Sequence, residues 1–194
     1  MQTLLARLKA ETRFQHLRLE RHLDVLGDGV TRAGHRRLLR RLYGFHRPWE
    51  EQALPLLERG HPGLTAGRSK LGLLERDLLG LGDDLEEIRA LPCCRALPPL
   101  DTLCSALGSM YVLEGATLGG QVVSRHLART LGVDADSGAS FFRSYGDEVG
   151  PMWRRFGEAL AVHAGREDDR VVACARDTFV CLHDWLLSSA DDPA

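Results

Sequence analysis

The chain has 194 residues, 44% of them hydrophobic and 27% charged, with a net charge of −2. That is enough chain for one globular domain with its own core, and the balance excludes any global electrostatic case for a nucleic-acid or membrane-surface protein. No apolar run approaches the roughly 20 residues of a membrane span, and MQTLLARLKAETRFQH lacks the apolar centre and small-residue cleavage site of a secretory signal, so a cytoplasmic location is expected.

In chain order, Leu5, Leu8, Thr12, His16, Leu19 and Leu23 recur in steps of three and four and predict a first helix over about 2–23, with His16 inside its apolar stripe. A second helix is predicted after Thr31, a good N-cap residue, running to a stop near Gly60 with a disturbance near Pro48. Pro62, Gly63 and Gly67 mark a loop. A shorter helix over 68–81 and a weak one near DDLEEIRAL follow, then a Pro-rich connection from Pro92 to Pro99. From Asp101 the pattern is helical to Leu131. A straight helix of that length would span roughly 45 Å, so a kink is expected where its glycines cluster. GVDADSG ends it, and two last helices are predicted over 139–163 and 167–189. No β-type alternation or internal repeat occurs. The predicted fold is an all-α, single-domain helical bundle covering residues 1–194.

Of 25 basic residues 23 are arginines, Lys9 and Lys70 being the only lysines. The cluster RAGHRRLLRRLYGFHR reads as the solvated face of a helix, with a docking surface for an acidic electron donor as the second reading. The five cysteines form no CxxC pair and read as reduced thiols packed as small hydrophobes.

The stretch YVLEGATLGGQVVSRHL, from Tyr111 to Leu127, holds Gly115, Gly119 and Gly120 inside an otherwise helical pattern. Each interior glycine lowers helix stability by about 1 kcal/mol relative to alanine, so something should offset about 3 kcal/mol. Two readings are open: small-residue packing against a neighbouring helix, or a flat ligand lying on the backbone at Gly115 and Gly119, which share a face. The second needs a partner from the opposite side. His16 is the candidate, because neutral imidazole is a common iron ligand and haem is a large planar group.

Three segments carry a family likeness. LKAETRFQHLRLE, LEGATLGGQV and FFRSYG resemble the proximal helix, the distal helix and a propionate-contacting segment of the biliverdin-forming haem oxygenases, in particular the bacterial type that accompanies bacteriophytochromes. Weaker likeness in RRLYGFHRPWEE and around Phe179 spreads over most of the chain. The resemblance implies that His16 is the axial iron ligand, that Lys9 and Arg143 meet haem propionates, that Tyr111 and Phe179 border the haem, and that Gly115 and Gly119 lie over its distal face. It also implies haem b as both cofactor and substrate, with oxygen and electrons from a ferredoxin or an NAD(P)H-dependent reductase giving biliverdin, carbon monoxide and ferrous iron. A bacteriophytochrome is the implied receiver of biliverdin. One departure stands out: many members have an aspartate after the first distal glycine, where this chain has Ala116. His46 and Glu114 are the candidates to hold distal water instead. The rival classes are a haem carrier or sensor without turnover and a helical enzyme of thiaminase-like fold that binds no haem.

Overall fold

A computed structural model describes residues 3–27, 29–165 and 167–188; among them are nine α-helices and no strand. Thr3 opens α1, Leu4–Glu11, by accepting the Ala6 N–H on its side chain. The first predicted helix is in fact two. Thr12 sits between α1 and α2, Arg13–Leu23, with its hydroxyl donating to the Leu8 carbonyl at 2.8 Å, a side-chain bond that competes with the backbone ladder.

Thr31 caps α3, Arg32–Gly60, by accepting from the Gly34 N–H, and the helix continues through Pro48 and Pro55 without interruption. After α4, Leu71–Gly80, a reciprocal capping box between Asp84 and Glu87 starts α5, Leu85–Arg89. Thr102 caps α6, Leu103–Leu131, which is unbroken across its glycines and ends at Gly132 in the left-handed region, φ 65°. The predicted 139–163 helix is split into α7, Ser140–Arg143, a single 3-10 turn at Gly146–Glu148, and α8, Val149–His163. Positive φ at Ser144 (49°) and Gly146 (56°) makes that break. The last element is α9, Asp168–Leu187.

α6 runs through the middle, packed on α3, α7, α8 and α9. Trp49 on α3 donates its indole N–H to Ser109 on α6 at 2.7 Å, and Thr178 on α9 meets the same hydroxyl at 3.0 Å. Gly108 brings α6 against the Val171 carbonyl of α9, where any side chain would overlap the backbone. The pairs Arg7–Asp169, Glu11–Arg176, His16–Phe179 and His22–His183 follow one another in order, so α1 and α2 run parallel to α9.

The basic cluster of α3 keeps Arg32 and Arg37 exposed, but several of its other arginines are tied to neighbouring elements. Arg36 and Arg40 both clasp Asp83. Burial pushes that carboxyl up, but the two guanidinium groups outweigh it and hold it below the usual carboxylate range. Arg41 lies over the Trp185 ring, 3.8 Å from its centroid, and Arg47 donates to the Arg89 carbonyl at 2.9 Å. The five cysteines are unbridged, and no described helix is long and apolar enough to cross a membrane.

Candidate functional site

α2 and α6 meet near one end and enclose a cavity near the other. The meeting point is Tyr111 against Thr12: burial pushes the Tyr111 hydroxyl up, and the Thr12 contact offsets only part of that. Further along, Leu23 of α2 and Val123 and Leu127 of α6 line one cavity of about 650 Å³, closed behind by Leu38, Phe142 and Leu186. His16 lies between Thr12 and Leu23 on α2. Gly115 and Gly119 lie between Tyr111 and Val123 on α6. None of the three lines that cavity; His16 precedes its Leu23 edge along α2, and Gly115 and Gly119 precede its Val123 edge along α6.

The stripe on α2 that reads as core is not core, for none of the helix's eleven residues is fully buried. The His16 side chain is 51% exposed, with Nδ1 3.5 Å from a Glu20 carboxylate oxygen. The ring stands edge-on to Phe179 of α9, 5.8 Å between centroids. Among the described residues Nε2 has no partner. Glu20 thus stands next to Nδ1 without a hydrogen bond, where a carboxylate could orient the ring of a metal-ligating histidine.

The three glycines divide. A Cβ on Gly120 would overlap the Phe142 carbonyl of α7, so that glycine is a packing requirement. A Cβ on Gly115 would meet only the rim of Trp153, at 3.8 Å, and one on Gly119 would meet nothing within 4 Å. Leu118 and Val122 beside them are 46% and 49% exposed. Helix packing accounts for Gly120, while Gly115 and Gly119 keep the open space that a flat ligand would need.

Arg143 ends α7, which is seated by a remote carboxylate: Asp77 of α4 accepts the Ser140 N–H and hydroxyl at 2.7 Å each and the Phe141 N–H at 2.8 Å. Gln121 of α6 donates to the Gly146 carbonyl at 2.9 Å, tying the turn after Arg143 beside Gly119. Lys9 lies two turns before His16. Both basic side chains are exposed and unpaired among the described residues.

Of the two water-holding candidates, Glu114 is already engaged: it pairs with buried Arg68 and accepts the Tyr145 hydroxyl at 2.6 Å. His46 is buried with Nδ1 unsatisfied, 3.8 Å from Glu50 and too far for a hydrogen bond. Sequence reasoning missed Lys70, whose only signal was its rarity. It is 5% exposed, with Nζ 3.4 Å from the Tyr145 ring centroid and no hydrogen-bond partner. Ser144 Oγ is a third buried orphan. Burial pushes the Lys70 ammonium down to about 8, Arg68 adding to this while Glu114 and Glu50 oppose it. Glu50 accepts Ser69 Oγ and Lys70 N–H, both at 2.6 Å.

This arrangement has a measurable consequence. Unfolded, Lys70 stays protonated up to its ordinary value near 10.5; folded, only up to about 8. The unfolded state therefore binds more protons between those values, and the Lys70 contribution to stability rises with pH across that window. Below it, the buried charge lowers stability by about 3 kcal/mol. Lys70→Met, which keeps the backbone N–H on Glu50, should be more stable than the parent at pH 7 by about 2–3 kcal/mol, the gain closing near pH 10.5. Urea melts at both pH values check this, and a less stable variant at pH 7 would mean that the ammonium is well compensated.

Open space over Gly119, exposed Leu118 and Val122, an imidazole nitrogen without a partner at His16, and unpaired Lys9 and Arg143 are the features available to a flat apolar ligand with acidic edges. Comparisons with known proteins give the family. A family model described as "Heme oxygenase" matches residues 2–188. A heme oxygenase from Xanthomonas campestris pv. campestris (strain 8004) is 31% identical over 127 residues, 63% of this chain and 70% of that protein. The fold is similar to the NO- and CO-bound heme oxygenase of Neisseria meningitidis, with TM-score 0.78 and 23% identity over 98% of this chain and 96% of that one. It is also similar to heme oxygenase from Leptospira interrogans, with TM-score 0.74 and 16% identity over 95% and 98%.

Proposed function

The chain belongs to the haem oxygenase family, and from that premise we propose that it cleaves haem oxidatively to biliverdin, carbon monoxide and ferrous iron with oxygen and electrons from a reductase or ferredoxin. Haem serves as substrate and cofactor together, its iron being the place where oxygen is reduced and its ring the thing that is cut. The observation that carries this reading is His16, half exposed on a helix with no fully buried residue, next to Phe179 and Glu20 with Nε2 open.

In this reading His16 holds the iron from the α2 side. Gly115 and Gly119 would let haem approach α6, Tyr111 and Phe179 would lie beside it, and the cavity lined by Leu23 and Val123 would offer it apolar surface. Neutral imidazole suits the chemistry better than thiolate, which favours O–O cleavage. With alanine at 116, the unsatisfied His46 Nδ1 and Lys70 Nζ are, with Ser144 Oγ, among the buried groups that could hold water and protons instead. We place the chain in the cytoplasm, with a bacteriophytochrome as receiver of biliverdin. Ala116 by itself favours a non-catalytic haem carrier or sensor, and carbon monoxide release under reductant and oxygen decides against that alternative.

Lys9 and Arg143 set haem rotation by charge-assisted bonds to its two carboxylates, whereas most affinity comes from burying the ring and from the iron bond. Lys9→Ala, Arg143→Ala together should therefore change the ratio of biliverdin isomers more than the haem affinity. Chromatography of the product checks this; an unchanged ratio would mean that other groups seat the haem.

A further inference from the structure

On the far side of α9 from the candidate site, the 92–99 connection and α9 bring two thiols together: Cys94 Sγ and Cys181 Sγ are 3.6 Å apart although 87 residues separate them. We propose that Cys94 and Cys181 form a reversible thiol–disulfide site, oxidised by peroxide, that fastens the 92–99 connection to α9.

The placement is built rather than incidental. The Cys94 N–H donates to the Gly44 carbonyl of α3 at 2.9 Å, and Gly44 has no room for a side chain because the Pro92 carbonyl and the Trp185 ring occupy that space. The Trp185 indole N–H donates to the Arg41 carbonyl at 2.6 Å, locking α9 to the same turn of α3. Cys181 donates to the Ala96 carbonyl at 3.2 Å. Both residues line an open groove of about 870 Å³, Cys94 buried at its wall and Cys181 partly exposed, so a small oxidant approaches from the groove.

The two thiols are also unequal. The contact with Cys181, a backbone hydrogen bond from Ala96 and the nearby Arg41 charge outweigh burial and lower the Cys94 thiol, while the same contact and burial push Cys181 up. Cys94 is therefore the nucleophile and Cys181 the resolving thiol. Cys104 and Cys174 are pushed up to about 11, chiefly by burial, and burial also raises Cys93. The Cys94 thiolate attacks a peroxide oxygen, the O–O bond breaks, and the departing oxygen leaves as water or alcohol after taking a proton, giving a Cys94 sulfenic acid. The Cys181 sulfur then attacks the Cys94 sulfur, the S–O bond breaks, and water leaves with the Cys181 proton. Two thiols are oxidised and one peroxide is reduced. Cys181 lies two residues after Phe179 and two before His183, on the opposite side of α9, so the bond pins the helix that braces α2 without entering the candidate site.

The test uses the whole chain without haem, treated with a few equivalents of hydrogen peroxide, alkylated and mapped by mass spectrometry without reduction. The expected result is the loss of two of five alkylatable thiols, a Cys94–Cys181 linked peptide pair, and full recovery with dithiothreitol. Cys93→Ser should leave the link intact, and Cys181→Ser should yield a Cys94 sulfenic acid trapped by dimedone. Five free thiols in the treated parent, a link through Cys93, or links only between chains would overturn the proposal. None of these outcomes depends on haem turnover.

Discussion

Gly120→Ala should destabilise the haem-free chain by about 2–3 kcal/mol, whereas Gly119→Leu, one residue away, should leave it at least as stable as the parent. At Gly120 the added carbon would overlap the Phe142 backbone carbonyl of α7, and that backbone is held by Asp77. It cannot swing aside as a side chain could. At Gly119 nothing lies within 4 Å, so the substitution gains up to about 1 kcal/mol of helix propensity. The same leucine fills the space assigned to haem and oxygen. Haem affinity of Gly119→Leu should therefore fall by tenfold or more and biliverdin yield should collapse. A ligand at 1,000 times its dissociation constant stabilises a fold by about 4 kcal/mol, so the parent should melt well above its apo form on adding haem and Gly119→Leu should not. Urea melts paired with haem titration check both variants. A destabilised Gly119→Leu with normal haem affinity would show that the open face serves something else.

His16→Ala should fold normally, because the ring is half exposed and its helix has no fully buried residue to lose, yet it should lose the parental ferric spectrum and nearly all turnover. Weakening a group behind a metal ligand typically lowers affinity or activity by about 10- to 100-fold. Removing the ligand itself should exceed that, and Glu20→Gln should fall within it. Added imidazole should restore much of the parental spectrum to His16→Ala. Unaltered spectra and rates in both variants would remove His16 from the iron. Far-ultraviolet dichroism supplies the control, since neither substitution should change helix content.

The helical periods that follow Thr31 and Asp101, and the cap Thr31 itself, are local signals, and the structure keeps them. What the sequence hid depends on distance along the chain. The start of α7 is set by Asp77, more than sixty residues earlier, and the break after Arg143 by positive φ at Ser144 and Gly146. The arginines of α3 look solvated until Asp83 folds back between two of them. The glycines read alike in the sequence because periodicity reports a face, not what stands in front of it; only the neighbouring Phe142 carbonyl separates Gly120 from Gly119. His16 was recognisable as a residue on an apolar stripe, but that stripe would ordinarily mean core, and here its face is open. Lys70 showed only as a rare lysine, since burial without a partner leaves no trace in composition.

The most direct measurement is to add haem to the purified chain, record the visible spectrum, then supply reductant and oxygen while following biliverdin absorbance and released carbon monoxide. A haem oxygenase with His16 on the iron predicts a single saturable complex with an imidazole-ligated ferric spectrum, converted to biliverdin with carbon monoxide appearing in step with the haem lost. Haem that binds and survives reductant and oxygen intact would contradict that account and leave a carrier, and a chain that fails to shift the haem spectrum would contradict the site itself.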